Sequence, residues 1–283
     1  MIVCTNKNAL SQAIETLKAQ KKTIGFVPTM GALHQGHISL INRSVSECDA
    51  TVASIFVNPV QFNNPTDLQT YPRTLEADLE LLEKNNCTIV FVPQVDDIYP
   101  EGTQNLEHYD FGTLETVMEG TFRPGHFNGV AIVVKRLFDL VQADVAFFGN
   151  KDFQQVAIVK QLVQQYTIPT HIVACPIVRE SDGLAMSSRN MRLTAGERKQ
   201  AAQISQTLFA AQSTVQTHTV QEIKDFVVQT INAVPALKVE YFDIVDATRL
   251  QPVHSWSEAS HIVGCVAVHV GSVRLIDNIV LKN

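Results

Sequence analysis

Residues 25–37 read GFVPTMGALHQGH. An apolar run, Ile24 to Val27, ends at Pro28, and the small-residue turn Thr29-Met30-Gly31-Ala32 follows. Two histidines, His34 and His37, then flank Gln35 and Gly36. Beyond them Ile38, Ile41, Val45 and Cys48 recur at helical spacing. The pattern predicts a strand, a tight glycine turn and a helix with His37 in its first turn. Free backbone N–H groups and the positive end of the helix dipole meet at such a point, which suits an anionic phosphate. Two imidazoles add hydrogen-bonding groups beside it, and Gly36 leaves room for a ligand lying on the helix. Taken alone, H-x-G-H is a short pattern, and two exposed histidines at a helix start satisfy it equally well.

The same alternation repeats outward. A helical stripe runs from Ala9 to Leu17, with Thr5 or Asn6 as its N-cap. Thr51 to Val57 is a continuously apolar strand of the kind covered on both faces in a parallel sheet. Residues 63–73, with two prolines, read as a loop. Leu75, Leu79 and Leu82 mark a helix, and Thr88 to Val92 a strand. Residues 96–128 have no regular pattern. A helix over 130–141, a strand over 145–148, a helix through Val156 to Val163 and a strand over 171–175 complete the series. Strands alternating with helices imply right-handed crossovers and a Rossmann-like α/β domain over residues 1–177. Ligands bind outside the carboxyl ends of such strands. Three polar turns leave those ends: the one holding His34 and His37, Asn58-Pro59-Val60-Gln61-Phe62, and Gly149-Asn150-Lys151-Asp152-Phe153-Gln154-Gln155.

After Pro176 the pattern changes. Residues 178–190 read as a polar connection. Thr194 to Glu197 and Thr219 to Glu222 are capping boxes opening two helices. Apolar segments at 239–245, 262–270 and 273–281 predict a small antiparallel sheet. The expectation is a second, smaller α+β lid domain over 178–283.

Composition removes several classes. The net charge of −6 over 283 residues argues against broad nucleic-acid binding. The cysteines, five in number and without a C-x-x-C pair, suggest neither a disulfide framework nor a zinc site. The start MIVCTNKNAL lacks a signal-peptide core, and Lys135 and Arg136 cut the apolar run over 129–134 too early for a membrane span. A cytoplasmic protein without a metal-ligand set is expected.

PTMGALHQGH, FVNPVQF, YPRT, RPGHF, DVAFFGNKDFQQ and RESDGLAMSSRN occur in that order. Together they resemble the pantothenate synthetase family, within the H-x-G-H nucleotidyltransferases. The resemblance is strong from about residue 24 to 193 and looser beyond. Two positions depart from it: Asn150, where Glu or Gln is commoner, and Asn128, where a basic residue is usual. The resemblance implies that ATP activates pantoate as an acyl adenylate, and that β-alanine then displaces AMP. It assigns ATP contacts to Met30, Gly31, Ala32, Leu33, His34, Gln35, Gly36 and His37, to Gly149, Asn150, Lys151 and Asp152, and to Val178, Met186, Ser187, Ser188 and Arg189. His37 and Lys151 take the catalytic roles. Gln61 and Gln155 bind pantoate and β-alanine, Mg²⁺ rides mainly on the ATP phosphates, and the assembly is a homodimer. Arg73 and His126 read as loop organisers, and His254, His261 and His269 as structural. Another H-x-G-H nucleotidyltransferase acting on a different small acid or phosphate is the alternative.

Overall fold

The strand–turn–helix of residues 24–47 lies in the middle of a six-stranded parallel sheet. The structure, a computed structural model, describes residues 1–283. In chain order the elements are β1 (Ile2–Cys4), α1 (Lys7–Ala19), β2 (Ile24–Thr29), α2 (Gln35–Glu47), β3 (Ala50–Ile55), α3 (Pro65–Gln69), α4 (Leu75–Lys84), β4 (Ile89–Phe91), α5 (Val95–Ile98), α6 (Met118–Phe122), α7 (His126–Val141), β5 (Val145–Gly149), α8 (Phe153–Gln165) and β6 (His171–Cys175). The sheet order is β1-β4-β3-β2-β5-β6. Chain order therefore reverses between β2 and β5, the place where open α/β sheets bind ligands.

Local chemistry explains where the elements begin. Asn6 caps α1 by accepting from Ala9 N–H at 3.0 Å. Pro28 does not end β2, which runs on to Thr29 and pairs with β3 over its whole length. The Ile24 carbonyl accepts from Asp144 and the Thr29 carbonyl from Phe56, so alternate residues face β5 and β3. Pro28 faces the β5 side, past the last β2–β5 pair at Phe26, where a missing N–H costs no ladder bond. Two expectations change. Residues 63–73 contain α3, with Asn64 capping Thr66 N–H and Pro65 in the first turn. The short edge strand β1, paired with β4, gave no periodic signal in three residues.

In the core, Val27, Ala53, Val90 and Phe147 from the sheet meet Leu40, Ile41 and Leu82 from α2 and α4. Burying each of these Val, Leu, Ile and Phe side chains is worth about 1.5–3 kcal/mol. All five cysteines are free thiols. Burial pushes the Cys87 thiol up to about 12, so it acts as a small apolar side chain.

Two structural units emerge. The first comprises Met1–Phe111, Arg123–Asn150 and Gln155–Pro176; the second comprises Gly112–Phe122, Lys151–Gln154 and Ile177–Asn283. The second contains α9 (Ala195–Thr214), α10 (Val220–Asn232) and the antiparallel sheet β7 (Leu237–Asp246), β8 (Ile262–Val270), β9 (Val273–Lys282). Thr194 and Thr219 cap the two helices with reciprocal bonds to Glu197 and Glu222.

Long-range polar contacts explain why residues 112–122 and 151–154 join this unit. Glu119 on α6 is buried and forms two bonds with Arg274 of β9, at 2.9 and 2.6 Å. Tyr241 of β7 donates its hydroxyl to the same carboxylate at 2.8 Å. Arg274 also reaches Glu240 at 2.9 and 2.6 Å. Burial alone would lower the Arg274 pKa, but the bonds and charges of Glu119 and Glu240 outweigh it and raise it. Gln154 accepts from Glu119 N–H and donates to the Leu114 and Val117 carbonyls. Arg274→Ala strands two carboxylates and is expected to cost about 3–5 kcal/mol in equilibrium denaturation. A loss below about 1 kcal/mol, the value of an exposed pair, would contradict a structural role for this cluster.

Candidate active site

The turn after β2 adopts a conformation that local sequence does not favour. Gly31 has φ +81° and Ala32 φ +50°, and a non-glycine residue in the left-handed region costs about 1 kcal/mol or more. The buried carboxylate of Asp78, on α4, holds this turn. Its Oδ2 accepts from Ala32 N–H and its Oδ1 from Leu33 N–H, both at 2.8 Å. Those two amides are therefore engaged within the protein. The expectation that Met30–Leu33 offer backbone groups to a nucleotide narrows to the turn's other atoms.

His34 and His37 then cap α2 for each other. Gly36 N–H donates to His34 Nδ1 at 3.1 Å, and His34 N–H donates to His37 Nδ1 at 3.3 Å. The ring centroids are 4.1 Å apart. A helix start has four amides without intrahelical partners, and here imidazole nitrogens accept from backbone N–H groups that Ser, Thr or Asp commonly serve. Because Nδ1 accepts in both neutral rings, the ring proton sits on Nε2. The opposite edge of each half-buried imidazole therefore carries the ring N–H.

The turn after β3 is built around Asn58, which is 1% exposed. Tyr99 donates its hydroxyl to Asn58 Oδ1 at 2.6 Å. Asn58 Nδ2 donates to Gln61 Oε1 at 3.2 Å and to the Gly129 carbonyl at 3.1 Å. Gln61 Nε2 meets Met30 Sδ at 3.1 Å, which ties this turn to the one before the histidines. His126 Nδ1 lies 2.9 Å from the Gln61 carbonyl, so His126 organises the turn from α7. Arg73 donates to the carbonyls of Leu68, Gln69 and Tyr71, as expected of a loop organiser. Asn128 has both ends of its amide engaged, by Tyr109 N–H and the Glu107 carbonyl. Gly149 ends β5, the strand beside β2, Asn150 follows it, and Gln155 is half-buried on α8.

The remaining candidate residues belong to the second unit. The Lys151 ammonium lies 3.6 Å from the Asp152 carboxylate. The Lys151 carbonyl accepts from Asn278 Nδ2 at 3.0 Å. Next to Asn278, the buried Asp277 takes a two-pronged bond from Arg179 at 2.6 and 2.9 Å. Burial raises the Asp277 pKa, and the Arg179 bond only partly offsets it. Residues 178–186 form a narrow hairpin rather than an unstructured connection: Met186 N–H donates to the Val178 carbonyl, and Arg179 bridges Ala185. Val178 and Met186 are thereby cross-strand neighbours. Ser187 caps the 3₁₀ turn over Ser188–Arg192 by accepting from Arg189 N–H at 3.3 Å, and Ser188 is buried.

Asp78, Asn58, Tyr99 and Asp277 are the positioning groups that pattern reading missed. Asn58 lies inside a motif that drew attention, but an Asp on a helix, a Tyr in an irregular region and an Asp on a strand carry no local signal. Gly129 adds a steric constraint. A Cβ there would lie 2.7 Å from the Val60 carbonyl oxygen and 2.9 Å from Gln61 Cα. Since the neighbours are backbone, Gly129→Ala must displace the Gln61 turn. It is expected to destabilise the fold by about 1–3 kcal/mol in denaturant unfolding. An unchanged midpoint would contradict the close approach.

The chain is similar to known proteins along its length. A sequence model of the family Pantoate-beta-alanine ligase matches residues 2–280. A pantothenate synthetase of Bacteroides fragilis (strain YCH46) is 54% identical over 273 residues, covering 96% of each chain. One from Porphyromonas gingivalis (strain ATCC 33277) is 51% identical over 277 residues, covering 98% of this chain and 96% of the relative. The crystal structure of pantothenate synthetase from Thermus thermophilus superposes with TM-score 0.93 at 39% identity, covering 100% of both chains. That of pantoate-beta-alanine ligase from Francisella tularensis, complexed with beta-gamma ATP and beta-alanine, superposes with TM-score 0.84 at 36% identity, covering 100% of this chain and 98% of the other. The chain belongs to the pantoate–beta-alanine ligase family, whose members are the pantothenate synthetases.

Proposed function

We infer that this chain joins pantoate to β-alanine at the expense of ATP, forming pantothenate, AMP and pyrophosphate. The pantoate carboxylate attacks the α-phosphorus and pyrophosphate leaves; the β-alanine amine then attacks the acyl carbon and AMP leaves. Adenylation is needed because oxide is a poor leaving group. No enzyme nucleophile takes part, so the work falls to positioning and charge stabilisation.

The observation that carries this reading is the reciprocal cap of His34 and His37. It fixes two Nε2–H donors beside a helix N-terminus, an arrangement suited to phosphate oxygens. In this reading His37 donates toward the departing pyrophosphate, and Lys151 supplies a compact positive charge to the phosphates. Ser187, Ser188 and Arg189 hold the outer phosphates, Gly149, Asn150 and Asp152 flank the ribose, and Val178 and Met186 meet the adenine side. Gln35 and Gly36 complete the helix start. Gln61 and Gln155 are neutral amides that hold the hydroxyls and carboxylate of pantoate without quenching its nucleophilic charge. No group of three or more His, Cys, Asp or Glu side chains is gathered to hold a metal ion. Mg²⁺ in this reading arrives on the ATP phosphates and neutralises their charge. No helix is long and apolar enough to cross a membrane, and family membership supports a homodimer acting in the cytoplasm.

ATP–pyrophosphate exchange tests the reaction. Exchange is expected to require pantoate; exchange driven by another acid and not by pantoate would reassign the substrate. Lys151→Ala is expected to slow exchange about 100- to 1,000-fold, the scale for removing one preorganised charge-stabilising group. Its unfolding midpoint should stay near wild type, and retention of most of the rate would remove Lys151 from the mechanism.

A further inference from the structure

Asp78 touches none of the residues given a substrate contact above except through the backbone of the turn it holds. It is 2% exposed. Three donors converge on it: Ala32 N–H and Leu33 N–H at 2.8 Å, and the Thr74 hydroxyl at 3.1 Å. It lies in the first turns of α4, where the helix dipole favours a negative group. The partners are 45 and 46 residues away in sequence, so this is a tertiary clamp and not a local cap.

The clamp continues into the phosphate-binding donors. Ala32, Leu33 and His34 are three consecutive amides, and each donates to a side chain: the first two to Asp78, the third to His37 Nδ1. The turn itself holds two consecutive residues at positive φ. Within it, Gly31 N–H finds only the Thr29 hydroxyl, at 3.2 Å. Asp78 braces this strained turn from outside through two consecutive amides. The turn's shape sets where residue 34 begins α2, and hence where both Nε2–H groups point.

We propose that Asp78 is a positioning residue for the adenylation half of the reaction. It aims the two imidazoles at the ATP phosphates without touching ATP, and this rests on the reading of the reaction given above. Occupying the Ala32 and Leu33 amides also leaves recognition of the outer phosphates to side chains. The second half, aminolysis of the acyl adenylate, involves no β or γ phosphate and depends on Asp78 much less.

The test compares the two halves in Asp78→Asn, whose amide group sets a donor against one of the two backbone N–H groups. Pantoate-dependent ATP–pyrophosphate exchange is expected to fall about 100-fold, the scale of a misplaced catalytic group. Aminolysis of separately prepared pantoyl adenylate by β-alanine is expected to stay within about 3-fold of wild type, since no β or γ phosphate has to be held in that step. Combined with His37→Ala, Asp78→Asn should add clearly less than its own single-variant factor to the exchange defect, because part of its effect runs through His37. Equal loss in both halves, additive loss with His37→Ala, or unchanged exchange would overturn the proposal. If Asp78→Asn does not fold, Thr74→Ala decides by the same comparison. It removes one donor from the carboxylate and should slow exchange about 3- to 10-fold with aminolysis unchanged, the scale of one lost hydrogen bond. No exchange effect from Thr74→Ala would then overturn it. Wild-type protein lacking pantoate-dependent exchange but still consuming the adenylate would count against the first-step reading, a separate result.

Discussion

The N-terminus of α2 has amides that must find acceptors, and it finds them in the two imidazoles that carry the proposed chemistry. A serine or aspartate cap would satisfy those amides equally well. It would leave no N–H to offer a ligand. An imidazole has two distinct nitrogens, so one ring can accept from the helix on one edge and donate on the other. In His34 and His37 the structural bond determines the tautomer, and the tautomer makes the outward edge a donor. In the proposed reaction, structural capping and phosphate recognition are therefore one constraint.

The rest of the first unit holds that helix start in place. Gly31 and Ala32 turn the chain sharply out of β2, and Asp78 keeps the turn from relaxing. Gly129 lets the Gln61 turn lie directly on α7, and Asn58, itself held by Tyr99, orients the Gln61 amide. The second unit follows the same logic. Asn278 anchors the backbone of Lys151, and the neighbouring Asp277 is held by Arg179 at the base of the 178–186 hairpin. In both units the groups suited to ligands are held by buried polar partners from distant parts of the chain. Such networks favour one geometry when every member is satisfied.

The sequence made the ladder of strands and helices legible because hydrophobic period and length are local properties. The helix starts at Thr194 and Thr219 were legible because a capping box is four residues long. The His34–His37 pair was visible as a phosphate candidate, but its cap was not, since histidine is an uncommon capping residue. Pro28 reads as a strand end only when its neighbours are unknown; it is tolerated because its missing donor faces past the β2–β5 pairing. What remained hidden is long-range. Glu119 meets Arg274 across 155 positions, and Asp78 meets Ala32 across 46. No window on the sequence shows that a charged residue in an irregular stretch or on a helix has its partner there. The roles proposed for individual residues toward ATP and pantoate rest on family resemblance, and the structure adds how His34, His37, Gln61 and Lys151 are held.

The helix cap holds both imidazoles as Nε2–H tautomers. Nitrogen-15 NMR of the ring nitrogens of His34 and His37, assigned by comparison with His34→Gln and His37→Gln, tests it directly at a pH where the rings are neutral. Both residues are expected to show an unprotonated Nδ1 and a protonated Nε2. A proton on Nδ1 of either ring would contradict it, because that nitrogen could then not accept from the helix.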